Sequence, residues 1–191
     1  MAKKSAKTTA ASSNTTMELS WPEPDIAVLT LDNPNKGANV LSTAVLGEFE
    51  QNLNAVVAHG KVAGLIIRSG KPGSFIAGAD IQEFAASLAG ETNPAETASM
   101  CRRGQSLFKR LCETPFVTVA AIDGICVGGG AELAIWCDRR IMTNNPKSQF
   151  GFPEVKLGLM PGWGGTVRTP RIVGLGNAVE MITSGESIDA A

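Results

Sequence analysis

The run FVTVAAI (116–122) is continuous and β-rich, and it halts at Asp123-Gly124. Gly128, Gly129 and Gly130 then open a helix that carries Glu132 in its first turn. A strand that feeds a helix through glycines calls for a layered α/β arrangement, because a continuous apolar strand has to be covered on both faces. Glycines at a helix start also let backbone come close to a ligand, and the first-turn N–H groups have no intrahelical acceptor. The junction therefore suits negative charge. A dinucleotide fingerprint would need G-x-G-x-x-G, and a P-loop would need Gly-Lys-Ser/Thr; neither is present.

The flanking segments repeat the alternation. IAVLTLD (26–32) reads as a strand closed by the turn NPNKG (33–37). Ser42 is the expected cap of a helix to about Ala58, with Leu46, Phe49, Leu53, Val56 and Val57 on one face. GLIIR (64–68) is a short strand, and FIAGADI (75–81) leads into a short helix. Thr92, Asn93 and Pro94 start a helix that runs to about Cys112, with Thr97, Cys101, Gly104, Phe108 and Leu111 aligned, and Pro115 stops it. Asn177 to Ser184 is also helical in pattern. Short connections predict right-handed crossovers, and the sequence displays no internal repeat. Residues 1–16, rich in Lys, Ser, Thr and Ala, cannot bury enough surface to order themselves, so the folded domain is expected over 17–191.

Composition narrows the chemistry. The chain has one His, no Tyr and a net charge of −1, which argues against His-based triads, His-rich metal sites, Tyr acids and general attraction to nucleic acid or anionic membrane. The lone His59 ends a helix, where a dipole contact accounts for it. Cys101, Cys112, Cys126 and Cys137 lack C-x-x-C spacing and read as buried free thiols rather than zinc ligands. A reducing compartment fits them: the cytoplasm, with the mitochondrial matrix as the alternative. No metal site is expected. Two acids remain notable, Glu132 beside the first glycine turn and Glu154 just ahead of the second, PGWGG (161–165). Each alone has an ordinary explanation, as a first-turn helix acid or a solvated loop acid. Together with backbone N–H groups from the glycine turns at 75–80 and 128–130, they can perform acid–base chemistry beside a stabilised oxyanion.

Four motifs in order, FIAGADI (75–81), D-G-x-x-x-G-G-G-A-E-L (123–133), F-G-x-P-E-x-x-L-G (150–158) and P-G-x-G-G-T-x-R (161–168), resemble the crotonase (enoyl-CoA hydratase/isomerase) superfamily. The wording is similar to the hydratase region of multifunctional fatty-acid oxidation α-subunits. The resemblance covers Ile26 onward and implies a crotonase-like α/β spiral of ββα units, its C-terminal helical part lying beyond Ala191. It implies an acyl-CoA thioester as substrate, with no cofactor beyond the coenzyme A the substrate carries. The N–H groups of Ala79 and Gly129 would form an oxyanion hole, and Ala79, Asp80, Ile81, Gln82 and Gly129 would line the substrate path. Glu132 and Glu154 would be the catalytic pair. Members that hydrate double bonds keep both acids, which favours a hydratase over an enoyl-CoA isomerase or a non-catalytic acyl-CoA-binding module. Gln82 stands where many members have a Lys for the CoA phosphates, so Lys36, Lys71 or another group would take that part. The resemblance further implies a trimer-based homo-oligomer or membership of a fatty-acid oxidation complex.

Overall fold

Alternating burial sets the first layer. In β2 (Ile26–Leu31) Ala27, Leu29 and Leu31 are buried, in β3 (Gly64–Ser69) Leu65 and Ile67, and in β5 (Val117–Ile122) Thr118, Ala120 and Ile122. A computed structural model describes residues 15–88 and 93–191. These strands join β1 (Met17–Glu23) and β7 (Arg139–Met142) in a five-stranded sheet of order β1-β2-β3-β5-β7, parallel except for the β1–β2 pair. Pro22 and the bulge between Ser20 and Glu23 sit on the edge strand β1, where a missing N–H costs no ladder bond. The expected two-sided burial of 116–122 is corrected: Val117 is exposed, and Val119 and Ala121 are half-buried. Only one face of β5 enters the core, so the strand alternates.

A second sheet of order β4-β6-β8-β9 consists of three-residue strands, β4 (Ser74–Ile76), β6 (Ile125–Val127) and β8 (Gln149–Gly151), with β9 (Ser187–Ile188) antiparallel at its edge. Each turn of the chain contributes one strand to each sheet, as β3/β4, β5/β6 and β7/β8. Helices follow each pair: α2 (Ile81–Leu88) and α3 (Pro94–Cys112), then α4 (Gly129–Trp136), then a 3-10 turn (Pro153–Leu157), α5 (Gly165–Val173) and α6 (Leu175–Ser184). The ββα spiral implied by the motifs is therefore present. The corners between the sheets stack directly. Ile125 N–H donates to Gly73 O at 3.1 Å, and Gln149 N–H to Gly124 O at 3.2 Å. At Gly124, φ is +79°, and a Cβ would lie 1.9 Å from the Gly73 carbonyl, so only glycine fits.

The helices obey their sequence signals. Ser42 Oγ accepts from Val45 N–H at the start of α1 (Thr43–His59), and Asn93 Oδ1 accepts from Ala95 N–H ahead of α3. Val45, Leu46, Phe49, Leu53 and Val56 bury one face of α1, whereas Val57 is exposed at its margin. His59 stacks on Trp21 with ring centroids 3.9 Å apart. On α3, Gly104, Leu107, Phe108 and Leu111 enter the core. Fully buried side chains of this size contribute about 1.5–3 kcal/mol each, and Phe49, Phe75, Phe108 and Leu133 join in one cluster spanning both sheets and the helices. Residues 1–14 of the expected tail lie outside the described residues. Thr16 does not belong to such a tail, because its N–H and Oγ1 both donate to Glu48 at 2.9 and 2.6 Å.

Candidate active site

Successive turns of the spiral bring three short segments to one cavity. The first leaves β4 as Ala77-Gly78-Ala79. Buried Asn39 guides it: Asn39 O accepts from Ala77 N–H at 2.8 Å, and Nδ2 donates to Leu31 O and Ser69 Oγ at 2.9 Å each. Leu41 then pairs with Ala79 in a parallel bridge, donating its N–H to Gly78 O at 2.9 Å and accepting from Asp80 N–H at 3.1 Å. The Ala79 N–H between them points the other way and meets no acceptor among the described residues. The second segment is Gly128-Gly129 at the start of α4. A Cβ on Gly129 would lie 3.4 Å from Ala79 N and 2.6 Å from the Trp163 ring, so the two backbone segments approach each other closely here. As the first residue of α4, Gly129 also has no acceptor for its N–H among the described residues.

Glu132, one turn into α4, is 2% exposed. Its Oε1 accepts from Trp163 N–H at 2.7 Å and Gly165 N–H at 2.8 Å, so it is no solvated helix acid. Burial pushes the carboxyl up to about 7; the Gly165 and Trp163 N–H groups oppose that rise, and Glu154 adds to it. Glu154 sits on the 3-10 turn in the third segment, half-buried, with its carboxyl also raised by burial. Its Oε2 is buried without a hydrogen-bond partner among the described residues. Such an orphan is costly unless the carboxyl is neutral or a ligand supplies the bond.

The cavity encloses about 250 Å³ and carries both glutamates, Ala79, Ile81 and Gly129 on its walls. The rest of the lining is mainly hydrocarbon: Phe84 from α2, Thr97, Met100 and Cys101 from α3, and Leu157, Met160 and Trp163 from the third turn. Asp80 and Gln82 do not line it. Asp80 caps α2 through Gln82 N–H and Glu83 N–H and pairs with Lys36, whose ammonium holds the carboxyl below its ordinary value. Lys71 pairs with Asp32 at 2.9 Å, so both candidate phosphate-binding lysines are already engaged with carboxylates. The sequence reading assigned nothing to Trp163 and Gly165, whose backbone N–H groups hold Glu132. The available signal was the glycine density of PGWGG: Gly164 has φ +120°, and a Cβ on Gly165 would come 3.1 Å from Glu132 Oε1.

Paired N–H groups, two carboxyls whose pKa burial raises and an apolar wall can activate a carbonyl-conjugated substrate and move protons next to it. Comparison with known proteins bears on the family and the fold. The Enoyl-CoA hydratase/isomerase family model matches residues 23–191. The fatty acid oxidation complex subunit alpha of Aliivibrio fischeri is 43% identical over 178 residues, covering 91% of this chain and 25% of that protein. This chain thus spans about a quarter of the length of such relatives. Among solved structures, an enoyl-CoA hydratase from Bacillus anthracis superposes with a TM-score of 0.81 at 30% identity, covering 92% of this chain and 65% of that one. Pseudomonas aeruginosa DspI does so with a TM-score of 0.81 at 30% identity, covering 96% and 71%. The spiral, the order of its motifs and these matches agree, and the chain belongs to the enoyl-CoA hydratase/isomerase family.

Proposed function

We propose that this chain is an enoyl-CoA hydratase, adding water across the 2,3-double bond of an enoyl-CoA thioester. The observation that carries the reading is the convergence of Glu132 and Glu154, both with raised carboxyl pKa values, on one cavity beside the free N–H groups of Ala79 and Gly129. The thioester oxygen would accept both N–H groups, which stabilise the enolate as its charge develops. Removing one such donor typically costs about 10²–10³ in rate. Water would bind between the two carboxyls, with the unpartnered Glu154 Oε2 able to take one of its hydrogen bonds. One carboxylate takes a proton as the water oxygen bonds to C3, and the other carboxyl, kept neutral by burial, gives a proton to C2. The step is redox-neutral and needs no cofactor beyond the coenzyme A of the substrate, and no metal.

The names of the relatives support a setting in fatty-acid oxidation, and we place the reaction in the cytoplasm, in an oligomer or an oxidation complex. Among the described residues no helix is long and apolar enough to cross a membrane. Substituting Glu132→Gln and Glu154→Gln tests the chemistry. Each is expected to lower kcat for crotonyl-CoA hydration by about 10²–10⁴ with its circular dichroism unchanged. Near-wild-type hydration by either variant overturns the reading. Turnover of a 3-enoyl-CoA without any hydration would assign an isomerase instead.

A further inference from the structure

Glu132 and Trp136 lie one turn apart on α4 and grip the same backbone from one helix face. Glu132 Oε1 accepts the N–H groups of Trp163 and Gly165, and Trp136 Nε1 donates to the carbonyl of Trp163 at 2.7 Å. The 163–165 turn is therefore held through its donors by one side chain and through its acceptor by the other. The indole lies directly on that turn: a Cβ on Gly164 would come 2.6 Å from Trp136 Nε1. Trp136 is in turn held from α5. The Arg168 guanidinium lies 4.0 Å from the centre of its ring, and Arg168 Nε donates to Ile135 O at 3.1 Å. Arg168 N–H closes the loop by donating to Gly164 O at 2.9 Å.

We propose that Trp136 is a positioning residue for the acid–base step: its indole N–H, backed by Arg168, fixes the 163–165 turn where two peptide N–H groups meet Glu132. The proposal deepens the hydratase reading and rests on Glu132 being one of the reacting carboxyls. The two N–H groups stabilise the ionised carboxyl against its burial, so releasing the turn drives Glu132 further toward the neutral acid. Glu132 and Glu154 line the same cavity, as does Cys101 of α3. Arg140 of β7 is committed to the Ala134 and Cys137 carbonyls, Arg168 of α5 to Trp136 and Ile135, and Cys126 of β6 is buried. The first effect of removing the indole N–H is therefore on the donors of Glu132 rather than on a neighbouring charge.

The test reads Glu132 directly as well as through turnover. Protein labelled with 13C at glutamate carboxyls is titrated by NMR, the Glu132 signal being the one lost in Glu132→Gln. In Trp136→Phe the Glu132 midpoint is expected to rise by about half to one pH unit. The limb of the kcat/KM profile governed by Glu132 should move the same way, with kcat falling about 10- to 100-fold and KM little changed. Arg168→Met, which keeps the indole but removes its backing, should shift the midpoint in the same direction by less. A Trp136→Phe protein that melts earlier but leaves the Glu132 midpoint in place overturns the proposal and makes Trp136 a packing residue. If Trp136→Phe does not fold, an unmoved midpoint in Arg168→Met overturns it. A wild type without hydratase activity whose midpoint still depends on Trp136 would sink the functional reading, and with it the acid–base role, leaving only the hold of Trp136 on the donors of Glu132.

Discussion

A carboxyl at 2% exposure that accepts two peptide N–H bonds is pulled in opposite directions, and for Glu132 burial prevails over its donors, leaving it to titrate at about 7. In the unfolded chain the same group titrates near 4.5. Between those values the folded protein binds more protons than the unfolded one, so stability is fullest below about pH 4.5 and is lost as pH rises toward 7. Glu132→Gln cannot ionise and escapes that loss. The unfolding free energy of the variant, relative to wild type, should therefore increase from pH 5 to pH 8 by on the order of 1–3 kcal/mol, read from urea melts. A difference that stays flat with pH would mean that burial does not hold the proton. This behaviour was only half legible in the sequence. Glu132 and Glu154 stand out because they flank glycine turns, yet nothing in a side-chain pattern marks the N–H groups of Trp163 and Gly165. Every non-proline residue carries the same backbone donor, and only the fold decides which of them meets a carboxylate.

At the scale of elements, the long helices were legible to within a residue or so because their signals are local. Ser42 caps α1, and Asn93 with Pro94 starts α3. Strands β4, β6 and β8 run three residues each, too short for an alternating pattern to emerge, so the second sheet was hidden although every residue of it was in view. Its geometry is set at the corners, where glycines let backbones touch. Gly124→Ala would place a Cβ 1.9 Å from Gly73 backbone at a φ of +79°, where neither partner is a flexible side chain. It should lower stability by about 3 kcal/mol or more or prevent soluble expression, whereas Gly37→Ala, with nothing within 4 Å, should stay within about 0.5 kcal/mol. Thermal melts of the two variants decide this, and similar melting temperatures would show that the corner backbone can shift.

Across the whole molecule, each turn of the spiral contributes one part of the site. Ala79 follows β4, Gly129 and Glu132 follow β6, and Glu154 and Trp163 follow β8. The motifs announced these parts in order, but the sequence carries no visible repeat because the turns share a path rather than residues. The distance along the chain between Glu132 and its donors, 31 and 33 residues, bears on the timing of assembly. Strands β2, β3 and β5 can align, and α4 can form against β4, β6 and β7, before residues 163–165 arrive. Until those residues dock, Glu132 is a carboxyl with neither donor, and the pocket lacks Trp163 as a wall. On the proposed function, that separation along the chain predicts that catalytic competence follows most of the secondary structure. On refolding from urea, hydration of crotonyl-CoA should lag the recovery of far-ultraviolet dichroism, and Trp136→Phe should lengthen the lag. Coincident recovery of the two signals would mean that α5 docks together with the sheet, as one cooperative unit.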